Sequence, residues 1–582
     1  MDDADCHGVG EAVHEVSIPR PPGLHAAPAL TVAVFLLPIA AGLVGTLLPA
    51  FGYLPAIGGT AFNLDGWRRL ASYPGFRSSV AVTLTTGVVT SILAVFVAFG
   101  FCAIAHGFGW MRRIGGWLAP ILAAPHSAIA IGLAFLIAPS GWIARALSPW
   151  LTGWTVPPDV ATVGDAAGLA LVLGLLLKEV PYLVLMIVGA MSQVPVQQHL
   201  AIARSLGYAS AESWVKTILP QIYPQIRLPI YAVIAFSLSV VDVALILGPS
   251  NPPTLAVLAV RWFADADIQF YFPAAAAATL LLLLVVAVIA AWFGVEWIAI
   301  GLGRRWIARG RRRSGVTFGA SVAAGAFGIV FALSLAALVG MALWSFAVQW
   351  RFPDALPQAW SLANWMRRLD GLAVPAWQTL LIGAMATAIA LVLVVGCLEN
   401  EARARHRPGA GALWILYVPL LVPQVAFLFG AQVLLVRANF DGTLAAVVWA
   451  HLIFVLPYLF LSLADPWRAF DPRYARTAAS LGASPARVLF AIKLPILLRP
   501  VLIACAVAFA VSVGQYLATL FAGNGRIATL TTDAVTLAGG ADRRVIGAYS
   551  LLQALFPLLA YLFAAALPAL LFARRRGLAA TP

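Results

Sequence analysis

Three ionisable residues interrupt stretches of sequence that are otherwise apolar: Lys178, Glu179 and Asp242. A charge near the middle of a membrane-spanning helix costs about 2.5–3.5 kcal/mol on insertion scales, so each needs a partner or a task. Lys178 and Glu179 are sequence neighbours, and adjacent residues on a helix do not face one another, so they are expected to have separate partners. Asp242 is the candidate partner for Lys178. Together with Gln515 these residues are the candidates for lining a translocation path, with a buried structural ion pair as the other reading. His126, His451, Gln424 and Gln432 are expected to hydrogen-bond neighbouring helices, and Glu296 to lie near the membrane interface.

None of these groups has the spacing of a metal site or a catalytic triad, so no metal, cofactor or catalytic residue is expected. Cys6, Cys102, Cys397 and Cys505 are far apart and form no C-x-x-C pair, which leaves neither a zinc site nor a disulfide framework. The three lysines, Lys178, Lys216 and Lys493, do not follow a glycine, and no G-x-x-x-x-G-K-[ST] phosphate loop occurs. Any ATP hydrolysis must therefore belong to another chain.

The elements that position these residues follow from composition. With 62% hydrophobic and 10% charged residues in 582, the chain is too apolar for a soluble globular protein, where about 25% charged is usual. Apolar runs long enough to cross a bilayer as helices are expected near 29–51, 79–106, 115–138, 166–192, 228–248 and 274–302. A second set is expected near 319–346, 376–398, 412–436, 443–465, 500–522 and 547–573. The fold class is an all-α integral membrane protein of about twelve transmembrane helices, because lipid offers no partner for free backbone groups and barrel-type alternation is missing. The acidic N-terminus lacks the basic start of a cleaved signal peptide, so the first run is expected to be a retained span.

Net charge is +14, and 34 of the 37 basic residues are arginines clustered between apolar runs, a topology signal and not a nucleic-acid surface. With the N-terminus inside, 24 of the 37 fall in inner segments and 12 in outer loops. Both termini, the tails 1–28 and 574–582, are therefore expected in the cytoplasm. The basic segment 303–318, with Arg304, Arg305, Arg309, Arg311, Arg312 and Arg313, is expected to link two halves, 29–302 and 319–573. Pro181-Tyr182-Leu183 and Pro457-Tyr458-Leu459, and Thr83-Leu84 and Thr379-Leu380, mark these halves as a tandem repeat. Six spans in each give both the same orientation, related by an axis along the membrane normal.

Two inner loops, 193–227 and 464–499, carry one pattern. The first reads Ala203-Arg204-Ser205-Leu206-Gly207 and reaches Leu219-Pro220; the second reads Ala478-Ala479-Ser480-Leu481-Gly482 and reaches Leu494-Pro495. In both, the proline lies thirteen residues after the glycine. Asp471 with Pro472 can start a helix, Gly482 suits its left-handed end, and Ser484-Pro485 can start the next. In the first copy Pro195 opens the segment, Gly207 ends the first helix, Ser210 is the candidate cap and Pro220 closes the loop. Each copy is expected to be a helix-turn-helix knob, with small residues beside the turn for a partner to approach.

These loops resemble the EAA loop in the membrane subunits of binding-protein-dependent ABC importers: Glu-Ala-Ala, three residues, Gly, nine residues, Ile, any residue, Leu-Pro. The sequence departs from it at Ala201 and Arg476, where Glu is usual, and at Thr217, where Ile is usual. The resemblance implies a type I importer permease fold in a bacterial inner membrane. It also implies two ABC ATPase subunits gripping the knobs and an extracytoplasmic solute-binding protein. Fusion of both halves is similar to the ferric-iron and thiamine branches. The alternative is a secondary transporter driven by an ion gradient, which would account for the spans but not for the paired loops.

Overall fold

A computed structural model describes residues 23–312, 315–366, 369–404 and 409–572. Arg313, Cys6, most of the expected N-terminal tail and the tail 574–582 lie outside the described residues. The described residues are mostly helical, and among them one two-stranded antiparallel ribbon pairs Ala347–Gln349 with Ala359–Trp360.

The first half is built from α1 (Ala27–Ala50), α2 (Phe76–Ala105), α3 (Ile114–Ala123), α4 (His126–Ile137), α5 (Leu169–Met191) and the short α6 (Val196–Ser205). It continues through α7 (Leu219–Ser239), α8 (Asp242–Leu247), α9 (Leu255–Phe263) and α10 (Tyr271–Ala308). The second half runs α11 (Val316–Phe346), α12 (Leu369–Ala404), α13 (Ala410–Leu421), α14 (Gln424–Arg437) and α15 (Leu444–Arg468). It ends with α16 (Pro472–Ser480), α17 (Leu498–Val513), α18 (Leu517–Gly523), α19 (Leu530–Ala538) and α20 (Arg543–Leu571). Among the described residues nine helices are long and apolar enough to cross a membrane, and two bent pairs raise the number to as many as eleven.

Several expected spans are interrupted. The run 115–138 breaks at Ala124-Pro125, and 412–436 turns through 91° at Val422-Pro423. A proline lacks the N–H that would continue the ladder and pushes the preceding residue out of the helical region; Ala124 and Val422 are accordingly extended, with ψ of 134° and 124°. The run 228–248 is no single helix either: α7 ends at Ser239, Val240 is extended with ψ 137°, and α8 restarts at Asp242. Its counterpart 500–522 breaks between Val513 and Leu517.

The halves interlock. α1 packs against α14 of the second half, and α11 packs against α2 and α4 of the first. Small residues permit the approach: a Cβ on Gly45 would lie 2.8 Å from Gly430 Cα, and one on Gly132 would lie 2.5 Å from the Ala337 carbonyl. The Thr83/Thr379 repeat has one structural job. Each hydroxyl donates to a carbonyl one turn earlier, Ser79 or Pro375, at 2.7 Å, and accepts from the first N–H of α9 or α19, Leu255 at 2.8 Å and Leu530 at 2.9 Å.

Candidate functional site

Both loops fold into the same knob. α6 runs into Leu206 and then Gly207 at φ +86°; α16 runs into Leu481 and then Gly482 at φ +80°. Two backbone bonds close each turn in a Schellman pattern: Gly207 N–H to Arg204 O at 2.9 Å and Tyr208 N–H to Ala203 O at 3.2 Å, matched by Gly482 to Ala479 and Ala483 to Ala478, both at 3.0 Å. A helix follows, then a single π-helical turn, Trp214–Ile218 or Leu489–Lys493, before the chain enters the bundle. Leu206 and Leu481 project outward, 56% and 83% exposed.

Some punctuation differs from expectation. Asp471 and Ser484 do cap, accepting from Arg473 N–H at 2.9 Å and Arg487 N–H at 3.3 Å. Ser210 does not: the cap position is Ala209, and the Ser210 hydroxyl instead meets His106 Nε2 and Arg204, each at 3.3 Å. Pro220 and Pro495 stand in the first turn of the helices Leu219–Ser239 and Leu494–Ile496, so they open the way back into the bundle and do not close the loop. Ala203 and Ala478 are buried against the chain itself, whereas Ser205 and Ser480 stay on the open face. Their hydroxyls donate to Ile202 O at 2.8 Å and Thr477 O at 2.9 Å.

The two knobs are anchored by different chemistry. In the first, Glu212 accepts from Thr317 Oγ1 at 2.8 Å, and Lys216 donates to Arg311 O at 2.7 Å while lying over the rings of Tyr208 and Trp306. Burial holds the Lys216 ammonium below the usual lysine range, and Glu212 partly offsets this. In the second, Lys493 pairs with Glu399 at 2.8 Å over the Trp467 ring, Arg403 bridges Glu399 to the Pro485 carbonyl, and Arg468 pairs with Glu401 at 2.7 Å.

Within the bundle, the expected Lys178–Asp242 pair does not form. The Lys178 ammonium donates to Ile121 O, Leu122 O and Ala124 O at 2.9, 3.1 and 2.6 Å. These are carbonyls that the break before Pro125 leaves without helical partners, so the lysine satisfies backbone that lipid could not. Glu179 faces His126 Nε2 at 3.4 Å. Asp242 begins α8 within electrostatic reach of His126 and Tyr516. Gln515 lies in the break ahead of α18, where its Nε2 reaches Val511 O at 3.3 Å.

His451 staples the same break, with Ser512 Oγ and Thr519 Oγ1 each at 2.8 Å. Gln432 reaches Asn524 at 3.4 Å, and Gln424 is partly buried at the start of α14. Glu296, expected near the membrane interface, is buried in the protein, paired with Arg227 at 2.6 Å and accepting from Tyr223 at 2.6 Å.

Sequence reasoning did not assign Tyr182, Tyr458 and Tyr417. The repeated Pro-Tyr-Leu was the available signal. Tyr182 lies within electrostatic reach of Tyr458, Glu179 and Tyr417, so the repeated tyrosines are near neighbours. A Cβ on Gly514 would come 3.7 Å from Pro125, which brings the break of one half to the break of the other. Among the described residues no three His, Cys, Asp or Glu side chains are grouped to hold a metal ion.

Among the described residues, long apolar helices, two bent pairs and two matched knobs define a protein of membrane-embedded type. The comparisons agree. No protein-family model matches the chain. Over 502 residues, 86% of the chain, it is 32% identical to the inner membrane ABC transporter permease protein YnjC of Escherichia coli (strain K12), spanning 90% of that protein. Over 186 residues, 29% of the chain, it is 32% identical to the molybdenum transport system permease protein ModB of Mycobacterium tuberculosis, spanning 70% of that protein. Over 163 residues, 27% of the chain, it is 26% identical to the spermidine/putrescine transport system permease protein PotC of Haemophilus influenzae, spanning 63% of that protein. The chain belongs to the ABC transporter permeases.

Proposed function

We propose that this polypeptide is both permease halves of a binding-protein-dependent ABC importer, fused through the linker 303–318. The halves 29–302 and 319–573 then supply six spans each to a twelve-span pore, with both termini and both knobs on the cytoplasmic face of a bacterial inner membrane. The observation that carries the reading is the knob built twice, with the same left-handed glycine turn and the same π-helical turn. Relatives such as ModB, matched over less than a third of this chain, support the view that one permease subunit corresponds to one half here.

Each knob offers its exposed face to one of two ATPase subunits: Arg204, Ser205, Leu206 and Gly207 in the first, and Ala479, Ser480, Leu481 and Gly482 in the second. Buried Ala203 and Ala478, with Leu219-Pro220 and Leu494-Pro495, carry the ATPase movement into α7 and α17. With Ala201 and Arg476 where a carboxylate is usual, docking rests on the shape around the two leucines. Solute delivered by an extracytoplasmic binding protein passes between the halves; ferric iron and thiamine are the leading cargoes.

The test is uptake into vesicles carrying the ATPase and binding protein encoded beside this chain. With ATP supplied and the proton gradient collapsed, uptake continues. Uptake that stops with the gradient and proceeds without any ATPase establishes a secondary transporter instead.

A further inference from the structure

The outward face of α10 changes character at a definite height. Its exposed apolar side chains run from Leu283 to Leu302, about 30 Å at 1.5 Å per residue, which matches the thickness of a hydrocarbon core. Trp297, 76% exposed, Ile298 and Leu302 close that stripe, and each has an arginine seven residues on: Arg304, Arg305 and Arg309. Residues seven apart share a helix face, so the three guanidiniums continue the apolar stripe just past its end. All three are exposed, and among the described residues they form no salt bridge. The sequence has no Asp or Glu from Trp297 to Pro353 that could neutralise them locally. The other side of these turns faces the protein: Glu296 is buried against Arg227, and the Lys216 ammonium lies over the Trp306 ring. Past the helix the chain is held in place. Lys216 donates to Arg311 O at 2.7 Å, and the Ala209 N–H to Arg312 O at 3.4 Å.

We infer that Arg304, Arg305 and Arg309 bind the headgroups of acidic phospholipids whose acyl chains lie along the Leu283–Leu302 stripe. A cation close to an anionic membrane surface multiplies binding about fivefold, and clusters of basic residues directly after a membrane helix add such factors together. A zwitterionic headgroup carries its own cation beside the phosphate and gains no net attraction. A free phosphate gains the guanidiniums but nothing from the apolar stripe, whereas a lipid uses both. The contacts that pin the segment after α10 to the first knob order the arginines before any lipid arrives, which lowers the entropy lost on binding.

The full-length chain in neutral detergent, titrated with phosphatidylglycerol, phosphatidylcholine and free glycerol phosphate and followed by native mass spectrometry, tests this. At low salt phosphatidylglycerol is expected to bind about tenfold or more tightly than either of the others. The variant Arg304→Gln/Arg305→Gln/Arg309→Gln loses most of that preference, while Arg304→Lys/Arg305→Lys/Arg309→Lys, which keeps the charge, stays within about threefold of the unaltered chain. Thermal unfolding of each variant separates lost binding from lost fold, and raised salt, which screens exposed charges, erodes the preference of the unaltered chain without any substitution. Equal binding of phosphatidylcholine, equal binding of glycerol phosphate, or a phosphatidylglycerol preference that survives the Gln variant overturns the inference. Co-purification of the ATPase with the unaltered chain reads the permease assignment separately.

Discussion

The two halves share a skeleton but divide the charge between them in opposite ways. Inside the bundle the first half carries Lys178, Glu179 and Asp242, where the second, aligned on Pro181/Pro457 and Gly207/Gly482, has Phe454, Val455 and Leu517. Outside it the order reverses: the second knob exposes Arg473, Arg476, Arg487 and Arg499, and the first exposes Arg204. Residues that set backbone geometry are duplicated, namely the glycines, the Pro-Tyr steps and Thr83/Thr379. Residues that set charge are not. Stretches kept in shape and divergent in charge can present two different faces to one solute and two different surfaces to the proposed ATPase partners.

The comparison breaks most visibly at Lys178. Lys178→Met strands three carbonyls inside the membrane and should cost about 3 kcal/mol, read as a large fall in thermal unfolding temperature in detergent. Phe454→Met at the matching place should cost about 1–2 kcal/mol, since it trims a buried ring but strands no polar group. Equal effects would erase the distinction between the two centres.

Next come the turns. Gly482→Ala forces a side chain into a left-handed conformation in open space, at about 1–2 kcal/mol. Gly207→Ala adds a contact 3.3 Å from Arg312 Cδ to the same strain. Both variants should lose ATPase in co-purification, Gly207→Ala more. Retention of full ATPase binding by both would detach the knobs from docking.

The threonines should behave alike. Thr83→Val and Thr379→Val each remove one buried acceptor for a helix N–H, worth about 1 kcal/mol, and a difference between them in unfolding would mean that the caps are not equivalent. The smallest effect concerns the exposed arginines, each worth under about 1 kcal/mol at a solvated surface. Raising salt should weaken ATPase binding to a Gly207→Leu variant, which depends on the second knob, more than to Gly482→Leu, which depends on the first. The reverse order would assign the electrostatic contact to the other knob.

The sequence made the long apolar helices and the matched turns at Gly207 and Gly482 legible, because hydropathy and glycine–proline spacing are local signals. Pro125 and Pro423 were visible too, yet apolar runs on both sides of them read as continuous spans, since hydropathy does not register a change of direction. The partner of Lys178 was not legible. A lysine suggests a carboxylate, and the carbonyls it satisfies exist only because a distant helix breaks. Ser210 misled for a similar reason: its type fits a cap, but the hydroxyl is drawn to His106, which lies far off in sequence.

The crossing of α1 onto α14 bears on how the protein is made. Gly42 and Gly45 leave the ribosome early, and the backbone they fit, around Gly430, is synthesised nearly four hundred residues later. Until then the first helix waits in lipid with a bare, flat face. Holding both partners on one polypeptide keeps that waiting face beside the surface that covers it, and fixes their ratio at one to one.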